Sequence, residues 1–186
     1  MSDFEFLSVL VSIVIGLGLT HLLGGLGRAF YFRHSNRLDA VHVAWTIAVF
    51  FILVLNWWVF LLWRNFNGWT FSTFFVVILW TTSMYVMALA LYPPGRSQDV
   101  GYRTIFENNR TWFLSTVAIM CVLDLLVTFM REQGIPEAGY IAFVGHYGLI
   151  AAIGIVVRKR AYDLVAAWYL AVTIALWSFG VRGTLF

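Results

Sequence analysis

Residues 6–27 read FLSVLVSIVIGLGLTHLLGGLG, and His21 is the only ionisable side chain in that stretch. At ~1.5 Å of rise per residue, a helix of this length crosses the ~30 Å hydrocarbon layer of a bilayer. Ser8, Ser12, Gly16, Thr20 and Gly24 recur at every fourth position. They give one strip of the helix only small or hydroxylated side chains. Lipid tails are as apolar as leucine, so helices in a membrane gain from close backbone approach, and a small-residue strip permits it. The strip is therefore the expected helix-packing face, and the face through which a second copy or a larger membrane complex would dock. It drifts about 40° per step at 3.6 residues per turn, and so winds toward more than one neighbour.

Working outward from this segment, the rest of the chain repeats its character. Of 186 residues, 61% are hydrophobic and only 11% charged, against roughly a quarter charged in a soluble domain. The net charge of +3 comes from arginines scattered in short segments, without the basic stripe of a nucleic-acid binder. Charge-free intervals long enough to span fall at 6–27, 40–63, 69–92, 111–130, 138–157 and 162–179. The expected fold is an all-α, six-helix transmembrane bundle forming a single domain over 1–186. Pro93-Pro94-Gly95 closes the third span, as a helix stop should. The start, MSDFEF, carries acids and no base ahead of the apolar run, which is the wrong flank for a cleaved signal; a retained first span is expected.

Bases orient the bundle. Arg28, Arg33, Arg37, Arg96, Arg103, Arg110, Arg158, Lys159 and Arg160 follow the odd-numbered spans, and only Arg64, Arg131 and Arg182 face the other way. The positive-inside rule puts the nine in the cytoplasm. Both termini are then expected outside, in a bacterial inner membrane. Trp57, Trp58, Trp63 and Trp69 gather where the second span turns into the third, as an interfacial belt would. The segment 93–110 is the longest connection; Val100, Tyr102, Ile105 and Phe106 within it suit a short surface helix, and the preferred expectation is a solvated connector anchored by those few apolar residues.

Ionisable groups deep in a bilayer are costly, and each marks a functional candidate. Counted from the outer ends of their spans, Asp124 lies ~9 Å deep, Asn56 ~10 Å and His146 ~12 Å. Their shared level leads to the expectation that Asp124 and His146 form a titrating pair with Asn56 beside them. The competing reading is a polar clasp fixing helix register. His21 lies ~10 Å from the opposite end of its span, near the level of Thr81, Thr82 and Ser83. With Thr20, these would form a second polar layer, and water joining the layers would make a relay for protons or ions. The bland alternative for His21 is a hydrogen bond to a neighbouring helix.

Three functions follow as expectations. The first is a small proton- or ion-coupled permease or channel, oligomeric because six short spans leave little room for a route through one chain. The second is a non-catalytic scaffold subunit docking through the first span. The third is a b-type haem protein, the only cofactor the histidines suggest, with the ~10 Å difference in depth between His21 and His146 against it. His42 is shallower again, and His34 falls in an arginine-rich loop. No GxxxxGK[ST], HExxH, GxSxG or CxxC occurs, so no enzyme class or metal site is indicated. The single lysine, Lys159, lies at a span edge, which excludes a mid-membrane Schiff base. The sole cysteine, Cys121, lies within an apolar run.

Overall fold

The computed structural model describes residues 3–34, 37–95 and 100–180. It contains α1 Asp3–Tyr31, α2 Ala40–Val59, which tightens into a 3₁₀ turn Phe60–Trp63, α3 Phe71–Leu91, α4 Tyr102–Glu132, α5 Ala138–Val156 and α6 Arg160–Gly180. All six are long and apolar enough to cross a membrane, and no strand occurs among the described residues. The chain is thus a multi-pass, all-helical membrane protein. Arg96 and Arg182, counted above among the orienting bases, lie outside the described residues.

Local chemistry explains most of the element ends. Thr70 caps α3 by accepting from the Thr73 N–H at 3.2 Å, so the third span starts two residues after the expected boundary. Asp39 does the same for α2 through the His42 N–H at 3.0 Å. Gln133 takes a left-handed conformation, φ 53°, and stops α4. The largest departure is at the start of α4. Residues 102–110 are not a separate surface helix but the first turns of α4 itself. Tyr102, Ile105 and Phe106 bury one side of those turns, which carries the helix well beyond the length a bilayer requires.

Helix α1 packs along Leu7, Val11, Ile15, Gly18, Leu22, Gly25 and Ala29. Those steps of three and four residues are the seam of a left-handed helix pair. The small-residue strip is therefore not the packing face within the chain: Ser8, Ser12 and Gly16 are half-buried, and Thr20 and Gly24 are exposed. A Cβ on Gly16 would meet nothing within 4 Å, whereas one on Gly25 would lie 2.2 Å from the Tyr92 ring. Gly18 and Gly25 are the glycines that admit α3. The physical reason is that about one enclosed residue per turn, set against a neighbour's large side chains, buries more surface than a strip of small ones.

Helix α2 is the hub, lying against α1, α3 and α6, while α4 rests on α3 and α5 on α4. Trp45, Trp80 and Phe113 are fully buried along these interfaces. Of the expected tryptophan belt, Trp57 and Trp58 are exposed, but Trp63 is buried and stacks on Trp69 at 5.0 Å. That pair plugs the turn between α2 and α3 instead of facing lipid. The backbones of α5 and α6 scarcely approach one another. Side chains bridge them, with Phe143 stacked on Trp177 at 4.1 Å and the Tyr147 hydroxyl donating to Thr173 Oγ1 at 2.8 Å.

Candidate functional site

The gap that these bridges leave is a cavity of about 60 Å³. Its lining comes from the last turns of α2 and α4, the first turns of α5 and the last turns of α6. Asp124, Asn56 and Arg131 supply its charged and amide groups, and Tyr140, Phe143, Tyr147 and Trp177 supply aromatic walls. At ~10–15 Å³ per water, it has room for about four to six water-sized groups. Ile52, Met120 and Cys121 also line it, one or two turns further from the Arg131 end. Beyond them the α2–α4 interface is closed by Trp45 against Phe113, rings 4.9 Å apart.

Asp124 is 8% exposed and is held from two directions. The Trp80 indole N–H donates to Oδ1 at 3.1 Å, and the Tyr140 hydroxyl donates to Oδ2 at 2.5 Å. Thr128 Oγ1 donates in turn to the Tyr140 oxygen at 3.4 Å. One carboxylate thereby ties α3, α4 and α5 together. Each of its oxygens has a second lone-pair direction unused, and the residue also lines the cavity. Hydrogen bonds of this kind offset the cost of removing a carboxylate from water.

The expected Asp124–His146 pair does not form. His146 Nδ1–H donates to the Ala142 carbonyl at 3.2 Å, and the Tyr169 hydroxyl approaches Nε2 at 3.3 Å. The imidazole therefore faces α6, on a different side of α5 from Tyr140. Asn56 does join Asp124 in the cavity. Its Nδ2 donates to the Ile52 carbonyl at 2.7 Å, which leaves Oδ1 as its acceptor.

The second polar layer also resolves differently. His21 Nε2–H donates to the Tyr92 carbonyl at 2.6 Å, satisfying an orphan acceptor just past the end of α3. Thr81 and Ser83 return their hydroxyls to carbonyls of their own helix, and Thr20 is exposed. These contacts match the helix-to-helix alternative for His21. The two histidines considered for haem bond to different partners, on α1 against α3 and on α5 against α6. His42 packs edge-on to Tyr92 and Tyr102, centroids 4.8 and 5.1 Å away. No group of three or more metal-ligating side chains occurs among the described residues.

Sequence reasoning missed the layer at the opposite end of the bundle. Arg110, counted as a loop base, is buried: its Nε and Nη2 donate to the two oxygens of Asp163 at 2.8 and 2.7 Å. Nη2 also donates to the Val157 carbonyl at 2.9 Å, at the end of α5. Arg160 pairs with the capping residue Asp39. A fork of two parallel bonds gives Arg110 and Asp163 a fixed geometry. The position of Asp163 in the first turn of α6, where an acid suits the helix dipole, was the signal available in the sequence. Trp80 and Tyr140 gave none, being two among nine tryptophans and eight tyrosines.

Together the fold and cavity define a six-helix integral membrane bundle with a cavity bordered by Asp124, Asn56 and Arg131. No family model matches the chain, and no curated protein or solved structure matches it.

Proposed function

We propose that this protein is a small permease whose solute or coupling proton enters the Asp124 cavity from the Arg131 end. The observation that carries the reading is the carboxylate of Asp124 at the foot of that recess, with acceptor capacity left over beyond its two hydrogen bonds. An intramembrane acid reached from one side and sealed from the other suits a binding step in alternating access. The closed side has the Trp45–Phe113 contact and the Arg110–Asp163 fork beneath it. With the base-rich segments in the cytoplasm of a bacterial cell, the recess opens outward. His146 is not part of the site in this reading, and His21 serves packing.

Flux into proteoliposomes tests it. Wild-type protein is expected to support pH-driven flux, and Asp124→Asn to abolish it while Trp80→Phe retains it. Equal flux in the wild type and Asp124→Asn would contradict the reading.

A second reading, assembly through α1, has one observation in its favour. Gly16 faces open space, with the half-buried Ser12 accepting from the Trp57 indole at 3.1 Å beside it. We propose a second copy of the chain as the occupant of that strip. Gly16→Leu should then convert an oligomer in mild detergent to a monomer without loss of helix; an unchanged particle size would contradict it.

A further inference from the structure

Asp124 and Arg131 stand seven residues apart on α4, two turns and about 10 Å along its axis, and both line the cavity. They do not pair with each other. Asp124 is anchored by Trp80 and Tyr140, while Arg131 Nη2 binds Glu132 at 2.8 Å. A guanidinium has five N–H donors and a carboxylate about four acceptor directions, so each group keeps capacity that its protein partners do not fill. Asn56 Oδ1 adds a further acceptor to the deep end. Arg131, in the last turn of α4, is the only base among the described residues of the lining. The cavity therefore has acceptors at the level of Asp124 and Asn56, donors two turns away at Arg131, and apolar or aromatic walls between.

That polarity selects among ligands. A simple cation meets attraction at Asp124 and repulsion at Arg131, and a simple anion meets the reverse. A dipolar ion whose charges are separated along its length meets attraction at both ends. Its ammonium, with three donors, matches the acceptors of Asp124 and Asn56, and its carboxylate matches the planar fork of Arg131. The methylene chain between them would run along Leu55 and Val59, with the ammonium within reach of the Tyr140 and Trp177 rings. Space for about four to six water-sized groups limits the molecule to about half a dozen heavy atoms.

On the premise that this cavity is the solute site, we propose that its ligand is a short linear zwitterion of the ω-amino acid class, bound with its ammonium at Asp124 and its carboxylate at Arg131.

Calorimetric titration of the full-length protein in nanodiscs tests this, using glycine, β-alanine, γ-aminobutyrate, propylamine and butyrate. A β-alanine or γ-aminobutyrate affinity at least about tenfold above that of both single-charge compounds supports the proposal. Arg131→Gln should bring the zwitterion down to the level of propylamine without weakening propylamine itself. The hydrogen bond of Arg131 joins it to Glu132 on its own helix, so its replacement breaks no polar contact between helices, whereas Asp124→Asn risks loosening three. Propylamine or butyrate binding as tightly as the zwitterions overturns the proposal, as does binding of none of the five at millimolar concentration. Asp124-dependent flux, measured after reconstituting the same purified protein into proteoliposomes, separates the two readings. Flux without zwitterion binding overturns the ligand class alone. Zwitterion binding without flux supports the ligand class and overturns transport.

Discussion

At the residue scale, Asp124 both fastens three helices and faces a cavity, and substitution separates the two roles. Trp80→Phe removes one donor and leaves a smaller aromatic ring in a buried site. It is expected to lower stability by about 2–4 kcal/mol in mixed-micelle unfolding, from the lost hydrogen bond to a charged group together with the gap left by the indole. Flux should survive it. Asp124→Asn keeps an acceptor for one of the two donors and should retain the helical circular dichroism signal while losing flux. Asp124 and Asn56 were legible in the sequence because polar groups stand out in an apolar run and depth follows from counting. The false partnership with His146 came from the same counting. Depth fixes a level, but each residue turns a helix by ~100°, and nothing in the sequence of α5 says that Tyr140 faces α4 while His146 faces α6.

At the element scale, α1 gives the sharpest contrast. A methyl added at Gly25 would collide with the buried Tyr92 ring at 2.2 Å, and one added at Gly16 would meet nothing within 4 Å. Gly25→Ala is therefore expected to destabilise by about 1–3 kcal/mol, the usual cost of overpacking. Gly16→Ala should stay within about 0.5 kcal/mol. Parallel unfolding curves of the two variants check both. That α1 spans was plain from its composition. Which glycines pack was not, because the strip from Ser8 and the seam from Leu7 run side by side in four-residue steps as far as Gly16 and Ile15, and part only at Gly18. The extension of α4 back to Tyr102 was hidden for a related reason. Its first turns carry charges on their outer side, which breaks the apolar run without breaking the helix.

At the scale of the whole molecule, two polar layers brace the bundle, and the one at the Arg131 end borders a cavity. The Arg110–Asp163 fork is 8% and 6% exposed by side chain. Removing one partner alone, as in Arg110→Met, should cost about 3–5 kcal/mol by stranding a buried charge, and the double variant Arg110→Met with Asp163→Leu should cost less. A double-mutant cycle in unfolding experiments measures the difference. This layer escapes the sequence reading because arginines near span ends read as topology signals, which groups Arg110 with Arg103, exposed in an ion pair with Glu107. The six spans were legible because lipid imposes length and apolarity on each independently. Contacts between spans carry no such imprint. The central claim is that the cavity is reached from the Arg131 end and sealed from the other. The chain's one cysteine, Cys121, lines that cavity, so side-specific labelling in sealed vesicles of each orientation tests the claim without further engineering. A small, membrane-impermeant methanethiosulfonate should modify Cys121 when added at the Arg131 side and leave it unmodified when added at the Arg110 side; modification from the Arg110 side, or from neither, would contradict it.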